Sequence, residues 1–274
     1  NVEAGNLTLG SGITVRGNTG YIGGQNFAGG NATLTNQGLI AADVSGGTVR
    51  VNVNNGITNT GTLQANNGGT LWLDPSGAGI ANAGGTIRAD NSGVVYFNGV
   101  TIDGGTLATS TGGRMIASNN SNNFLNNTTL NGVLDIASAY GVQRVTGGMV
   151  LGGAINVGSA SILATQGDQT ISGTGSIVFA DANGSNRFNL EAGNLTLGAG
   201  VTVRGNTGVI GNQNFAGGAA TLTNNGTINS DGGGTITINP NGALTNNGLF
   251  RAQNGTLAVA RNVAGTGTLQ VDAT

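Results

Sequence analysis

The chain has 274 residues, of which 54 are glycine; 37% are hydrophobic, 4% aromatic and only 7% charged, and nine arginines against eleven carboxylates give a net charge of -2. There is no lysine, histidine or cysteine, which excludes a Ser-His-Asp or Cys-His site, a Schiff base, disulfides and the ordinary zinc ligands, while the scattered charges exclude the basic stripe of a nucleic-acid binder and a polybasic membrane patch. No apolar run reaches the roughly 18 residues of a transmembrane helix, yet the hydrophobic fraction is too high for plain disorder.

Residues 1–40 open with short alternating segments, Leu7 and Leu9, then Ile13 and Val15, whose apolar side chains are expected to face inward. A Gln-Asn-Phe-Ala-Gly-Gly stretch follows, with Phe27 either an exposed loop tip or a plug folded back into the core. The plug is the expected reading, because an aromatic ring among Gly and Asn is the residue there with area to bury. Next comes a recurring unit in which an apolar strand, two or three small polar residues and a glycine precede another short strand. The turn glycines are Gly38, Gly61, Gly85, Gly105, Gly132, Gly153 and Gly175, in steps of 23, 24, 20, 27, 21 and 22 residues, then Gly226, Gly248 and Gly267. Between them Val49, Val51 and Val53 alternate with polar residues. Trp72 lies between Leu71 and Leu73, and Tyr96 between Val95 and Phe97. Alternation turns both aromatics outward, and each stands 11 residues after its turn glycine, Gly61 or Gly85, so adjacent turns of chain would place them side by side. Ile116 takes the corresponding place one turn on, with Arg88 and Arg114 expected nearby. From residue 189 the opening returns, residues 189–228 matching residues 1–40 at 32 of 40 positions. The second copy repeats the loop as Phe215, alternates Ile236 with Ile238, and carries Ala258 where Trp72 would stand.

An irregular period near 20 residues, built from strand-prone pieces of three to six residues, is what a parallel β-helix requires, with three short strands and three turns per coil. The expected fold is all-β: a single-stranded, right-handed parallel β-helix (solenoid) with rungs of about 20–24 residues and almost no helix. Nine Asn-Gly dipeptides, at Asn55, Asn67, Asn98, Asn131, Asn183, Asn225, Asn241, Asn247 and Asn254, supply residues that accept left-handed corners. The same dipeptide builds hairpins, so an antiparallel array is the structural rival. Residues 1–188 read as one super-repeat of eight or nine rungs and residues 189–274 as the start of a second, continuous with the first; this points to an elongated monomeric stack taken from a longer array.

The units LTNQGLIAA, ITNTGTLQA, IANAGGTIRA and LTNNGLFRA resemble the coils of filamentous-haemagglutinin-like exoproteins of two-partner secretion, and more loosely autotransporter passenger repeats. That resemblance implies display on, or release from, a Gram-negative bacterial surface, as an adhesin, biofilm scaffold or stalk. The family's amino-terminal secretion domain has no counterpart in these residues.

Carboxylates alone remain for catalysis. A glycosidase pair needs two acids about 5–10 Å apart, and Asp74 with Asp90, or Asp90 with Asp103, would have to stack; as single residues they read as turn caps. Aspartates at 43, 74, 90, 103, 135, 168, 181, 231 and 272 lack the nine-residue spacing of calcium-binding β-rolls. Thr33 and Thr35, Thr221 and Thr223, and Thr235 and Thr237 form local Thr-x-Thr pairs, as an ice-binding face would, without recurring on every rung. Sequons at Asn6, Asn31, Asn119, Asn126, Asn127, Asn183, Asn194, Asn225 and Asn254 follow from a composition rich in Asn and Thr. No enzyme activity, cofactor or metal is therefore expected. Two classes stand: a spacer or matrix fibre whose partners are neighbouring repeats of the same chain, or a module that binds extracellular glycans, a host receptor or matrix through an exposed face, with Trp72, Tyr96, Arg88 and Arg114 as its platform.

Overall fold

The computed structural model describes residues 1–24, 30–136, 139–211, 215 and 218–272. They form 34 β-strands, and there is no helix among the described residues. The chain divides into two units, Asn1–Leu134 and Asp135–Thr274, each a parallel β-solenoid. The division falls inside the first super-repeat, so residues 189–274 share a unit with residues 135–188.

In the first unit the strands fall into three parallel lanes. The first runs through Gly5–Leu9, Ala32–Asn36, Ile57–Asn59, Ile80–Ala81, Thr101–Asp103 and the start of Phe124–Asn131. The second runs through Thr14–Gly17, Leu39–Ala42, Thr62–Ala65, Thr86–Ala89, Thr106–Thr109 and the end of Phe124–Asn131. Gly20–Gly23, Thr48–Asn52, Thr70–Leu73, Val94–Phe97 and Arg114–Ala117 make the third. In-register stacking puts like on like inside: Leu34 on Ile57, Ile40 on Leu63 and Leu71 on Val95, with each of these side chains at most 3% exposed. Burying each such side chain contributes roughly 1.5–3 kcal/mol, and no single coil can do so alone.

In the recurring Leu-Thr-Asn-x-Gly unit the asparagine and the glycine have separate physical roles. Its asparagine points inward at the corner, where the Asn36 Nδ2 donates to Asn59 Oδ1 and Asn59 Nδ2 to Asn82 Oδ1, each at 2.7 Å, while all three are fully buried. A buried amide stack of this kind satisfies polar groups that would otherwise each cost about 1–3 kcal/mol. The second unit repeats it from Asn224 to Asn246, at 2.8 Å. The turn glycine is needed for proximity. A Cβ at Gly61 would lie 2.2 Å from the Gly38 carbonyl oxygen, and one at Gly248 2.1 Å from that of Gly226.

Left-handed corners hold for some of the Asn-Gly pairs and not for others. Asn67, with φ 50°, and the pair glycines Gly56, Gly68 and Gly99 are left-handed, as is the turn glycine Gly105, whereas the turn glycines Gly38, Gly61, Gly85, Gly226 and Gly248 lie outside the left-handed region. The coil length also varies more than 20–24 residues: Gly20 pairs with Val49, a step of 29, whereas Val94 pairs with Arg114, a step of 20. Corner loops absorb the difference, because only the strands must stay in register. In the first coil, Leu7 is 39% and Ile13 49% exposed, and Leu9 and Val15 are half-buried, contrary to the expected inward placement. Their copies Leu195, Leu197, Val201 and Val203 are at most 2% exposed, because in the second unit another coil lies beneath them.

The second unit has the same plan. Val142–Leu151 is a long strand that serves two lanes, pairing with Ile162–Gln166 through its first half and Gln169–Gly173 through its second. Gly147 and Gly148 between the halves have φ of 66° and 85°. Ala154–Val157, Ser176–Phe179, Thr202–Gly205, Thr227–Ser230, Leu249–Ala252 and Thr268–Val271 form the third lane.

Candidate functional site

The outward side of the third lane in the first unit carries one column of large side chains, set by register: Tyr21, Arg50, Trp72, Tyr96 and Ile116. Trp72 and Tyr96 do stand side by side, with ring centroids 4.3 Å apart and planes 27° from parallel. Since they stack on each other along the coil-to-coil direction, their faces are turned toward neighbours in the column and their edges toward solvent. Both are half-buried, and the Trp72 Nε1 is buried without a hydrogen-bond partner. A sugar ring packs on an open aromatic face, and this pair offers none between its two rings. A stacked pair of this kind is worth about 0.5–1.5 kcal/mol beyond area burial.

Arg50 belongs to this column although sequence reasoning passed it over. Its guanidinium sits 5.4 Å from the Tyr21 ring centroid, and its Nε donates to both carboxylate oxygens of Asp74, at 3.0 and 2.8 Å. The hydrogen bond to Asp74 outweighs partial burial and raises the guanidinium pKa further above its already high ordinary value. Asp74 is one residue beyond the strand that stacks on Arg50. The same offset joins Arg16 to Asp43 at 2.6 Å, Arg204 to Asp231 at 3.1 Å, and Arg251 to Asp272. Arg16, Arg50, Arg204 and Arg251, which look scattered along the chain, are therefore paired from coil to coil, and the signal was an arginine inside one strand with an aspartate just past the strand stacked on it.

Of the remaining expected platform residues, Arg114 stands on the third lane in register with Val94, whereas Arg88 does not join the column. Arg88 lies on the second lane and pairs with Asp90 two residues on. Asp90 also accepts from Gln64 and Ser110 at 2.9 and 2.5 Å. Burial pushes its carboxyl up, but the hydrogen bonds from Arg88, Ser110 and Gln64 overcome this and hold it below the ordinary carboxylate range. Asp103 lies on the first lane and accepts from Asn126 at 2.7 Å. Asp74, Asp90 and Asp103 thus follow or occupy three different lanes, which removes the stacked acid pair that glycoside hydrolysis would need.

Phe27 lies outside the described residues. Phe215 is 47% exposed, so it is no core plug; it lies over the Arg144 guanidinium, 4.6 Å from its ring centroid. Beneath it Arg144 forms a buried pair with Glu191 at 3.0 Å, the side chains 8% and 1% exposed. Arg144 reaches across the small Ala164, its register neighbour, to the bulge where Glu191 interrupts the pairing between Thr165 and Gln166. All nine sequon asparagines are exposed or half-buried.

No protein-family model and no curated protein matches the chain. Among solved structures, a crystal structure of a TibC-catalyzed hyper-glycosylated TibA fragment aligns over 98% of this chain and 100% of its own, at 17% identity and a TM-score of 0.29. A likeness that weak carries no argument about this chain.

Proposed function

We propose that this chain is a non-enzymatic β-solenoid segment of a bacterial cell-surface or secreted protein, working as an adhesin stalk or a biofilm or matrix fibre. The observation that carries this reading is where the outward functional groups go. Arg50, Arg16, Arg204 and Arg251 are held by aspartates of the next coil, Trp72 by Tyr96, and Asn247 by Asn225. These side chains, of the types that a binding surface would present to a ligand, take part in coil-to-coil cohesion, as a structural element requires. The bacterial setting is supported by the Leu-Thr-Asn-x-Gly coil units.

A second reading, a glycan- or receptor-binding module, is favoured by one fact. The column Tyr21, Arg50, Trp72 becomes Val209, Thr237, Ala258 in the second copy, so it is a local feature and no general requirement of the coil. Purified chain on beads, presented to a glycan array and to extracellular matrix proteins, separates the two. The structural reading expects no retention. Retention that is abolished in the W72A/Y96A double variant, with the β-sheet circular dichroism intact, would replace it with the second.

A further inference from the structure

The two copies of the opening sequence differ in what lies against them, and the glycines record the difference. A Cβ at Gly10, Gly12, Gly17 or Gly20 of the first copy would meet nothing within 4 Å. At the matching Gly198 it would lie 3.2 Å from the Ile171 oxygen, at Gly200 2.4 Å from the Gly173 oxygen, and at Gly205 2.3 Å from the Phe179 oxygen. At Gly208 it would lie 2.3 Å from the Phe179 ring itself. The first copy thus has a cleft, lined by Val15, Gly17, Gly20, Ile22 and Val49, where the second copy has a buried phenylalanine, Phe179 being 1% exposed. Around that ring the second copy donates a run of backbone hydrogen bonds downward: Thr202 to Gly175, Asn206 to Phe179, Thr207 to Asp181 and Val209 to Asn186, at 2.9–3.2 Å. The equivalent amides of the first copy belong to Thr14, Asn18, Thr19 and Tyr21.

We propose that the open face of the first coil is a docking surface for a coil of the sequence formed by residues 169–188, supplied by another copy of this repeat, and that the cleft at Gly17 and Gly20 is the socket for the phenylalanine at the end of its Ser-Ile-Val-Phe strand. The occupant is identified by what covers the same sequence in the second unit. Recognition has two parts: a parallel strand edge read by the backbone amides, and an aromatic ring admitted only because position 20 has no side chain.

The test joins residues 142–188 ahead of Asn1 of the full chain, which reproduces the Phe188–Asn189 junction as Phe188–Asn1. Hydrogen exchange should show the Asn18 and Thr14 amides protected at least tenfold more in the joined chain than in the unmodified one. Gly20→Ala should leave the unmodified chain unchanged, since its Cβ meets open space, yet remove the added protection in the joined chain. Replacing the added segment's copy of Phe179 by alanine, with its copy of Phe188 kept, should weaken the protection without touching the rest of the molecule. No gain on joining, or a gain that survives G20A, overturns the proposal.

Discussion

Asn59 is the residue on which the corner stack of the first unit turns, since it accepts from Asn36 and donates to Asn82 while fully buried. Asn59→Leu leaves one amide donor and one acceptor without their partner, and a loss of about 1–3 kcal/mol is expected in urea unfolding. Thr58→Ala, on the exposed side of the same strand, should stay within about 0.5 kcal/mol; equal midpoints for the two would show that the stack contributes nothing net. Asp90 gives a pH signature. Its folded pKa lies below the ordinary value, so its contribution is present above the unfolded value of about 3.9 and is lost as pH falls through the folded one. Stability should therefore be flat from about pH 5 to 8 and fall below about pH 4, with a shallower fall in Asp90→Asn. Phe215→Ala should cost only about 0.5–2 kcal/mol, the scale of a cation-π contact, and not the 3–5 kcal/mol of an emptied aromatic core site. What sequence alone could show of these residues differed by kind. Trp72 and Tyr96 were legible because alternation within a strand fixes the side they face. The partners of the arginines were not, because each aspartate lies a coil away and one place beyond the strand, an offset that only the register supplies.

At the scale of the coil, the turn glycines were legible by position but not by cause. Their spacing reveals the coil, but a glycine chosen for left-handed backbone and one chosen for close approach look alike in a sequence. Gly12 and Gly200 are the same position in the two copies and neither is left-handed, so substitution isolates proximity. Gly200→Ala drives a methyl to 2.4 Å from the Gly173 oxygen and should destabilise by about 1–3 kcal/mol, the cost of overpacking. Gly12→Ala meets open space and should be neutral, or slightly stabilising through the unfolded chain. Calorimetric midpoints of the two variants decide it; equal shifts would mean that backbone freedom, not coil contact, sets the requirement. The buried Arg144–Glu191 pair belongs to the same scale, since it spans two coils over Ala164. No periodicity announces it, because it rests on a bulge.

For the whole chain, the super-repeat of residues 1–40 at 189–228 was the plainest signal in the sequence, and each copy does fold into coils of the same strand pairing: Gly5 with Ala32 in one and Asn194 with Thr221 in the other. The repeat did not reveal that the two copies sit in different surroundings, which burial of Leu195 against exposure of Leu7 shows, because identical residues give no sign of what lies against them. Within each unit most contacts run between a strand and its lane neighbours one coil away, and a chain held together in that way has stability that is close to a sum of coil and nearest-neighbour terms. Truncation after Phe188 therefore should not unfold what is left. The 188-residue chain is expected to keep its β-sheet circular dichroism per residue, and its denaturant m-value should fall to about 0.7 of the full-length value in proportion to the surface that unfolds. Its protected amides in Ala32–Asn36 and Thr48–Asn52 should exchange at the rates they show in the intact chain. Collapse of the whole dichroism signal on removal of residues 189–274 would mean that folding is globally cooperative, and the nearest-neighbour account would then be abandoned.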